Sequence, residues 1–191
     1  MANGDEIATR RVREFMANEV AKYIVQDLER LITETWPRRD GTGGLAVPLG
    51  LTCFAIMDYF GFLTRRGSRV NKRQGSQNIL FFVDNWLPKP RLGSSPAVLT
   101  RIFRHGMTHQ FFAKASGITR GDRSRVIVRI PQDIPVLNVD ALADAVLDGL
   151  RSIDRAVSAT DGSQLALRMN QRLDQLIAED YQELSELLNN P

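Results

Sequence analysis

The chain has 191 residues, of which 43% are hydrophobic and 25% are charged, with a formal net charge of +3 and one cysteine, Cys53. This composition excludes a fully disordered chain, and a single cysteine excludes a disulfide framework or a cysteine-based metal cluster within one copy. A chain of this length can bury one sizeable core, so we predict a single domain over residues 1–191. The lone cysteine and the lack of a signal-peptide pattern favour a reducing compartment, with the cytoplasm as the expected location.

Positive charge is concentrated in the middle of the sequence. Residues 61–130 contain fourteen Lys or Arg against two acids, whereas residues 1–60 contain seven against nine and residues 131–191 four against eleven. Such an asymmetry within one domain indicates a surface that faces a polyanion, and nucleic acid is the natural candidate. Alternatively, the basic middle and the acidic last third pair with each other, within the chain or across a dimer. The two arrangements can coexist.

Apolar periodicity predicts four helices that would form a helical core over residues 1–115. They are expected over 6–35, from near 48 to about 65, over 76–87, and from 95 through 111. The second is apolar on nearly every side, which is typical of a central helix. Because Thr52, Asp58 and its glycines interrupt the apolar run, we expect a buried helix rather than a membrane span, and no membrane partner.

The pattern changes after residue 115. Residues 125–130 are β-branched residues interspersed with Arg, which predicts a strand, and residues 116–120 would pair with it across a Gly121-Asp122 turn. This places a β-hairpin over 116–131, closed by Pro131 and Pro135. Residues 138–189 then predict two C-terminal helices, with caps at Asn138 or Asp140 and at Ser163. The predicted fold class is mainly α, with one inserted β-hairpin.

The two histidines of the chain lie close together in the fourth predicted helix. On a helix, Arg101, His105 and His109 are spaced by four and share one face, with Arg104 on its flank. Imidazole can act as a general base or acid near neutral pH, and guanidinium can hold a phosphodiester. Since RNA carries a 2′-hydroxyl beside each phosphodiester, these groups could cleave RNA without a metal.

Other catalytic designs lack the residues they need. The glycine-rich residues 41–44 are not followed by the Gly-Lys-Ser/Thr ending of a phosphate loop, and Cys53 lies in an apolar run that predicts a buried side chain. Histidines at i and i+4 can chelate zinc, but no Asp, Glu or Cys nearby in the sequence offers a third ligand. No metal or cofactor is therefore expected.

The stretch from Arg104 to His109, with four residues between them and the polar His105 directly after the arginine, resembles the Arg-x4-6-His motif of the HEPN superfamily. HEPN proteins are small and helical, and many are metal-independent endoribonucleases of toxin-antitoxin and other defence systems. The resemblance implies a HEPN-like helical bundle in which Arg104 and His109 form the catalytic pair and His105 takes the polar position. It also implies a homodimer with both motifs facing one cleft, and an antitoxin or other regulatory partner.

Several functional hypotheses remain open at this point. An endoribonuclease of this type would leave 2′,3′-cyclic phosphate ends. A nucleic-acid-binding module would use the same basic surface without chemistry. A regulatory or interaction protein would use its acidic C-terminal helices to cover a basic partner or its own middle segment. The candidate substrate-binding residues are Arg101, Lys114, Arg120, Arg123 and Arg125. Solvated charges are the alternative for these five residues, and ordinary hydrogen bonding is the alternative for the two histidines.

Overall fold

The structure, a computed structural model, describes residues 4–34, 44–67, 71–93, 95–110, 116–121, 123–159 and 163–189, without the side chains of 108–110, 163 and 187. The first predicted helix is confirmed as α1, which comprises Gly4–Phe15, a wider π-helical part Met16–Val25, and Gln26–Glu34. Its buried residues recur at multiples of four, from Val12 to Ile32. A spacing of four drifts around an ordinary 3.6-residue turn, and the wider π turns offset that drift.

The second helix, α2 (Ala46–Thr64), lies at the centre of the molecule as predicted. It packs against α3 (Gly75–Trp86), α6 (Val139–Ser158) and α7 (Ser163–Asn189). Residues 60–64 are buried in succession, so all sides of the helix are covered at this end. A Cβ on Gly61 would overlap the backbone carbonyl of Asn78, which explains how α2 and α3 approach each other so closely.

Among the described residues, α2 is the one helix long and apolar enough to cross a membrane by length and composition alone. More than half of its most apolar window is buried inside the structure. A buried core helix meets the same two criteria, so this finding is only weak evidence for a membrane span.

The third and fourth predicted helices are also present. After α3, a single turn forms α4 (Lys89–Leu92), with Pro90 in its first turn; this turn was not predicted. The helix α5 follows, and its parts are Pro96–Val98, the π-helical Leu99–Arg104, and His105–Gln110. Leu99, Phe103 and Gly106 are buried and form the inward face of α5. Residues 111 and 114, named in the sequence analysis, lie outside the described residues.

A β-hairpin is present, as predicted, but one of its two strands is not the predicted one. The sheet contains β1 (Gly117–Thr119), β2 (Ile127–Ile130) and β3 (Ile134–Asn138), in the order β1-β3-β2. The antiparallel hairpin joins β2 to β3 through a 3-10 turn, Pro131–Asp133, while β1 pairs with β3 in parallel. Residues 116–120 therefore do not pair with residues 125–130. The prediction paired two segments that are close in sequence. In the structure both of the other strands pair instead with β3, whose last three residues are buried.

The prediction that Pro135 ends a strand is wrong, because Pro135 lies within β3. It faces Arg129 of β2, and the pairing with β1 begins only at Val136. On the β1 side, Pro135 is therefore at an edge position, where a proline is tolerated because no ladder hydrogen bond is needed from its nitrogen.

The two C-terminal helices are confirmed. Asn138 caps α6 by accepting a hydrogen bond from the Ala141 N–H at 3.5 Å, which decides between the two predicted caps. The buried face of α6 and the first half of α7 join α1, α2 and α3 in a contiguous core. The protein is thus mainly α-helical, a helical bundle with a small three-stranded sheet that contains one β-hairpin.

Candidate nucleic-acid interface

The outer face of α5 carries two of the residues predicted from the sequence. Arg101 and His105 are exposed, one helical turn apart, while Phe103 and Met107 bury the opposite face. His109 follows in the same helix, but its side chain is not among those that the structure describes. The predicted convergence of His109 with Arg104 therefore stays a prediction.

Arg104 is partly buried and turns toward the start of α3. Its Nη2 lies 2.9 Å from the position that a Cβ on Gly75 would take, and Asp58 Oδ2 lies 2.6 Å from the same point. Gly75 is the first residue of α3, so its missing side chain makes room for both groups. Asp58 also accepts a hydrogen bond from Asn78 Nδ2 at 2.9 Å. Arg104 is thus positioned at the positive end of the α3 dipole, beside one carboxylate.

Arg65 approaches the same helix end from α2. Its guanidinium donates to Gln74 Oε1 at 3.0 Å, Asn78 Oδ1 at 3.2 Å and Gln77 Oε1 at 2.7 Å. All three acceptors are neutral amides, so they fix the orientation of the guanidinium and leave its charge in place. Arg65, directly after α2, and Arg104 of α5 therefore both lie at the first turn of α3.

Three further arginines surround the C-terminal end of α2. Arg168 Nη1 donates to the Thr64 carbonyl at 3.1 Å, and Arg172 Nη2 donates to the Gly67 carbonyl at 2.7 Å. Arg172 also lies over the ring of Phe62, 5.3 Å from its centroid. Arg66 is exposed. We refer to Arg65, Arg66, Arg168 and Arg172 as the arginine cluster.

Burial and neighbouring positive charges both act on the arginine cluster. Burial lowers the pKa of Arg168, and the nearby charges of Arg66 and Arg172 lower it further. Burial and Arg65 likewise lower the pKa of Arg172. Within the described part of the chain, Arg65, Arg66 and Arg168 form no ion pair with a carboxylate. The cluster therefore holds positive charges close together, and three of its four side chains have no carboxylate partner among the described residues.

No residue of the arginine cluster was among the site residues predicted from the sequence. Arg65 and Arg66 were counted only in the charge total, and Arg168 and Arg172 lie in the acidic last third. The spacing of Arg168 and Arg172, at i and i+4 on α7, was the available signal, since such residues share one helix face. Their nearness to residues 64–67 depends on how α7 packs against α2.

Arg120, a predicted substrate-binding residue, has a different role in the structure. Its side chain is 2% exposed and pairs with Asp140, which is 0% exposed, through Nη2 to Oδ1 at 2.8 Å and Nε to Oδ1 at 3.0 Å. It also donates to the carbonyls of Ile32 and Gly44. Arg120 therefore links three segments: Ile32 near the end of α1, Gly44 before α2, and Asp140 at the start of α6. Because its side chain is buried, it has no accessible face for a phosphate.

Two more arginines of the basic segment face carboxylates of α6. Arg123 lies 3.7 Å from Asp144, and Arg91 lies 3.2 Å from Asp148. Asp140, Asp144 and Asp148 are spaced by four, so α6 presents one acidic stripe to this side of the molecule. The predicted pairing of the basic middle with the acidic last third is therefore present here. Of the other predicted ligands, Arg125 is exposed, and Lys114 lies outside the described residues.

Asp144 lies in a cleft of about 350 Å³ between α1 and α6, lined also by Arg91, Arg123 and Arg151. Burial raises the pKa of Asp144, and Arg123 and Arg91 only partly oppose this effect. The neighbouring carboxylates Asp140 and Asp148 raise the pKa further. The cleft is thus lined by charges of both signs, unlike the arginine cluster.

Cys53 is fully buried, as predicted, and burial raises its thiol pKa far above the usual range. Such a thiol remains protonated and is a poor nucleophile. Within the part of the chain that the structure describes, no three His, Cys, Asp or Glu side chains lie close enough to hold a metal ion.

Comparisons with known proteins identify no relative of this chain. No family model matches it, and neither the curated proteins nor the solved structures contain a match.

Proposed function

We propose that this protein binds RNA, and that the arginine cluster holds the phosphodiester backbone. The observation that carries the proposal is the placement of four guanidiniums around the end of α2, three of which, those of Arg65, Arg168 and Arg172, are held by neutral acceptors. Guanidiniums fixed in this way lose little further freedom on binding, and they gain a counter-charge that the fold does not give to Arg65, Arg66 or Arg168.

The start of α3 extends this surface toward α5. Arg65 contacts the first turn of α3, and Arg104 reaches Gly75 at the same turn. The exposed Arg101 and His105 lie on the same helix as Arg104. An RNA strand that follows these groups would pass from the arginine cluster to the helix that carries the two histidines.

Binding can be tested by fluorescence anisotropy with a labelled single-stranded RNA. We expect the Arg66→Gln, Arg168→Gln double variant to weaken binding about ten-fold or more, and to reduce the slope of log affinity against log salt by about 1.4, or 0.7 for each lost phosphate contact. DNA of the same sequence shows whether the 2′-hydroxyl contributes.

The matched control is the Arg123→Gln, Arg129→Gln double variant, which removes the same charge. Arg123 and Arg129 lie near Asp144 and Asp133, respectively, so their loss should change affinity much less. Equal losses in both double variants would show that only net charge matters, and unchanged binding in the first would remove the arginine cluster from the proposal.

A second candidate function is cleavage of the bound RNA, with Arg104, His105 and His109 as catalytic residues. It is favoured by the exposure of His105 and Arg101 on one face and by the placement of Arg104 beside the positive end of α3. His109 would remove the 2′-hydroxyl proton, and the 2′-oxygen would attack the phosphorus to form the 2′,3′-cyclic phosphate as the bond to the 5′-oxygen of the next nucleotide breaks. That leaving oxygen would take up a proton from water, and Arg104 would stabilise the charge on the phosphate. The similarity to the HEPN motif supports the same pair, along with a homodimer and a regulatory partner such as an antitoxin.

Cleavage is tested by incubating the protein with RNA in EDTA. We expect fragments with 2′,3′-cyclic phosphate ends, loss of activity in His109→Ala, and a smaller loss in His105→Ala. RNA that binds but stays intact at every pH and protein concentration would leave a binding protein. Light scattering on the same sample measures the mass and so tests the homodimer.

A further inference from the structure

A cleft of about 590 Å³ lies between the end of α3 and the helix α6. Trp86, Leu87 and Pro88 form its apolar side. The polar side chains that line it come from α6 and are Asp148, Arg151, Ser152, Asp154 and Arg155. We refer to it as the Trp86 cleft. It thus combines an aromatic ring and aliphatic groups with charged side chains.

The indole ring of Trp86 is held in a fixed position. Trp86 is partly buried and packs against the core, and its Nε1–H donates to Thr64 Oγ1 at 3.0 Å. The Thr64 hydroxyl in turn donates to the Phe60 carbonyl at 2.6 Å, and the Thr64 carbonyl accepts from Arg168 at 3.1 Å. Because Trp86 and Arg168 both contact Thr64, the Trp86 cleft and the arginine cluster are neighbours. A ring fixed in this way loses little freedom when a ligand stacks on it.

The two arginines of the Trp86 cleft differ in their partners. Arg151 lies 3.2 Å from Asp148 and 3.6 Å from Glu29. Arg155 donates instead to the Arg151 carbonyl at 3.3 Å and to Ser152 Oγ at 3.1 Å. Within the residues that the structure describes, Arg155 forms no ion pair with a carboxylate. Its charge can therefore be neutralised by an external anion, as in the arginine cluster.

These groups suit one nucleotide of a single strand. A base can stack on the indole ring, and the phosphate beside that base can pair with Arg155. The exposed Asp154 adds a hydrogen-bond acceptor, which fits the amino group of a base. Bases inside a duplex are stacked on each other, whereas those of a single strand can turn outward onto an aromatic side chain.

We propose that the Trp86 cleft binds one unpaired base of an RNA whose phosphates lie on the arginine cluster and on Arg155. This inference rests on the proposed RNA binding and specifies its substrate class, which is single-stranded RNA. The base stacks on Trp86, and the neighbouring phosphates reach Arg155 on one side and Arg168 on the other.

The fluorescence of Trp86 in the full chain tests this directly. The chain has two tryptophans, so Trp36→Phe leaves Trp86 as the only one, and circular dichroism checks that this variant keeps its helical content. We expect a short single-stranded RNA to quench the emission saturably, because the stacked base contacts the indole ring. The same RNA annealed to its complement should quench it much less.

Anisotropy with the same single-stranded RNA measures what each group contributes to affinity. Trp86→Leu keeps an apolar side chain, and we expect it to weaken binding about five-fold or more through the loss of base stacking. The control Tyr23→Leu removes an exposed ring of α1 outside the Trp86 cleft and should leave affinity unchanged. Arg155→Gln should weaken binding and lower the salt slope by about 0.7, whereas Arg151→Gln, which removes a paired charge, should do so much less.

The outcomes separate this inference from the proposed function. Unquenched Trp86 fluorescence at saturating RNA, or full affinity in Trp86→Leu, would remove the Trp86 cleft and leave RNA binding by the arginine cluster intact. Equal quenching by the single strand and the duplex would show that no unpaired base is bound. A complete lack of RNA binding by the unmodified chain would overturn both proposals.

Discussion

Two groups of arginines in this protein have opposite surroundings. On the sheet side, Arg91, Arg120 and Arg123 face the aspartates of α6. At the end of α2, Arg65, Arg168 and Arg172 of the arginine cluster are held by backbone carbonyls and side-chain amides. The difference is the presence of carboxylates spaced by four on one helix. Arginines near that stripe stabilise the fold, whereas those near neutral acceptors keep a charge that an external anion can neutralise.

The arginines of this protein therefore fall into two groups, those that pair with acids of the chain and those that do not. The basic middle pairs with the acidic last third where α6 is within reach, and this pairing was one of the two predicted arrangements. A surface for a polyanion, the other arrangement, is what we propose for the arginine cluster. A count of charges along the chain could not assign individual arginines to either part.

The largest effect is expected at the buried pair of the sheet side. Arg120→Met leaves Asp140 buried without its cation and removes the bonds to Ile32 and Gly44, so we expect a loss of about 3–5 kcal/mol in the free energy of unfolding. Arg123→Met removes a longer and more exposed pair, and should lose less than about 1 kcal/mol. Urea denaturation measures both. Similar losses in the two variants would show that burial does not distinguish these arginines.

A single added carboxylate should make the arginine cluster resemble the sheet side. Gln77→Glu keeps the shape of the side chain that accepts from Arg65 and places a negative charge in the first turn of α3. We expect the free energy of unfolding to rise by about 0.5–1 kcal/mol, from the helix dipole and the ion pair. RNA affinity should decrease several-fold in the same variant. A gain in stability without any loss of RNA affinity would place the RNA elsewhere.

The smallest effect is expected at Asp144 and depends on pH. Because the pKa of Asp144 is raised in the folded state, folding favours its protonated form, and ionisation above that pKa destabilises the protein. Asp144→Asn should therefore raise the free energy of unfolding by less than about 1 kcal/mol at pH 7. The gain should disappear as the pH falls below the unfolded value near 3.8. A loss of stability at pH 7 would show that the contact with Arg123 outweighs burial.

Features that depend on neighbours within one helix were predictable. The helix positions and the inward and outward faces of α5 follow from spacings of three and four, because each turn brings those residues together. The cap of α6 was predicted only as Asn138 or Asp140, and the structure places it at Asn138. The exposure of His105 and the burial of Phe103 belong to this group. The same reasoning could not show that Gly75 makes room for Arg104, because that contact joins two separate helices.

Pairing between distant segments was not predictable in the same way. The hairpin was predicted over residues 116–131 because strands adjacent in sequence usually pair. In the structure both other strands pair with β3, which contains buried, apolar residues. Arg120 was expected to bind substrate because it lies in a basic segment, and the approach of Asp140 from α6 made it a buried structural residue. Neither outcome is encoded in a local pattern.

The amino-acid sequence by itself determined the mainly helical fold, the order and length of the main helices, and the concentration of arginine between residues 61 and 130. Only the tertiary structure decided which arginines meet a carboxylate and which meet neutral acceptors. The physical reason is range: helical periodicity is set by contacts within a few residues, whereas the surroundings of a charge depend on segments 20 to 105 residues away that packing brings within 3 Å.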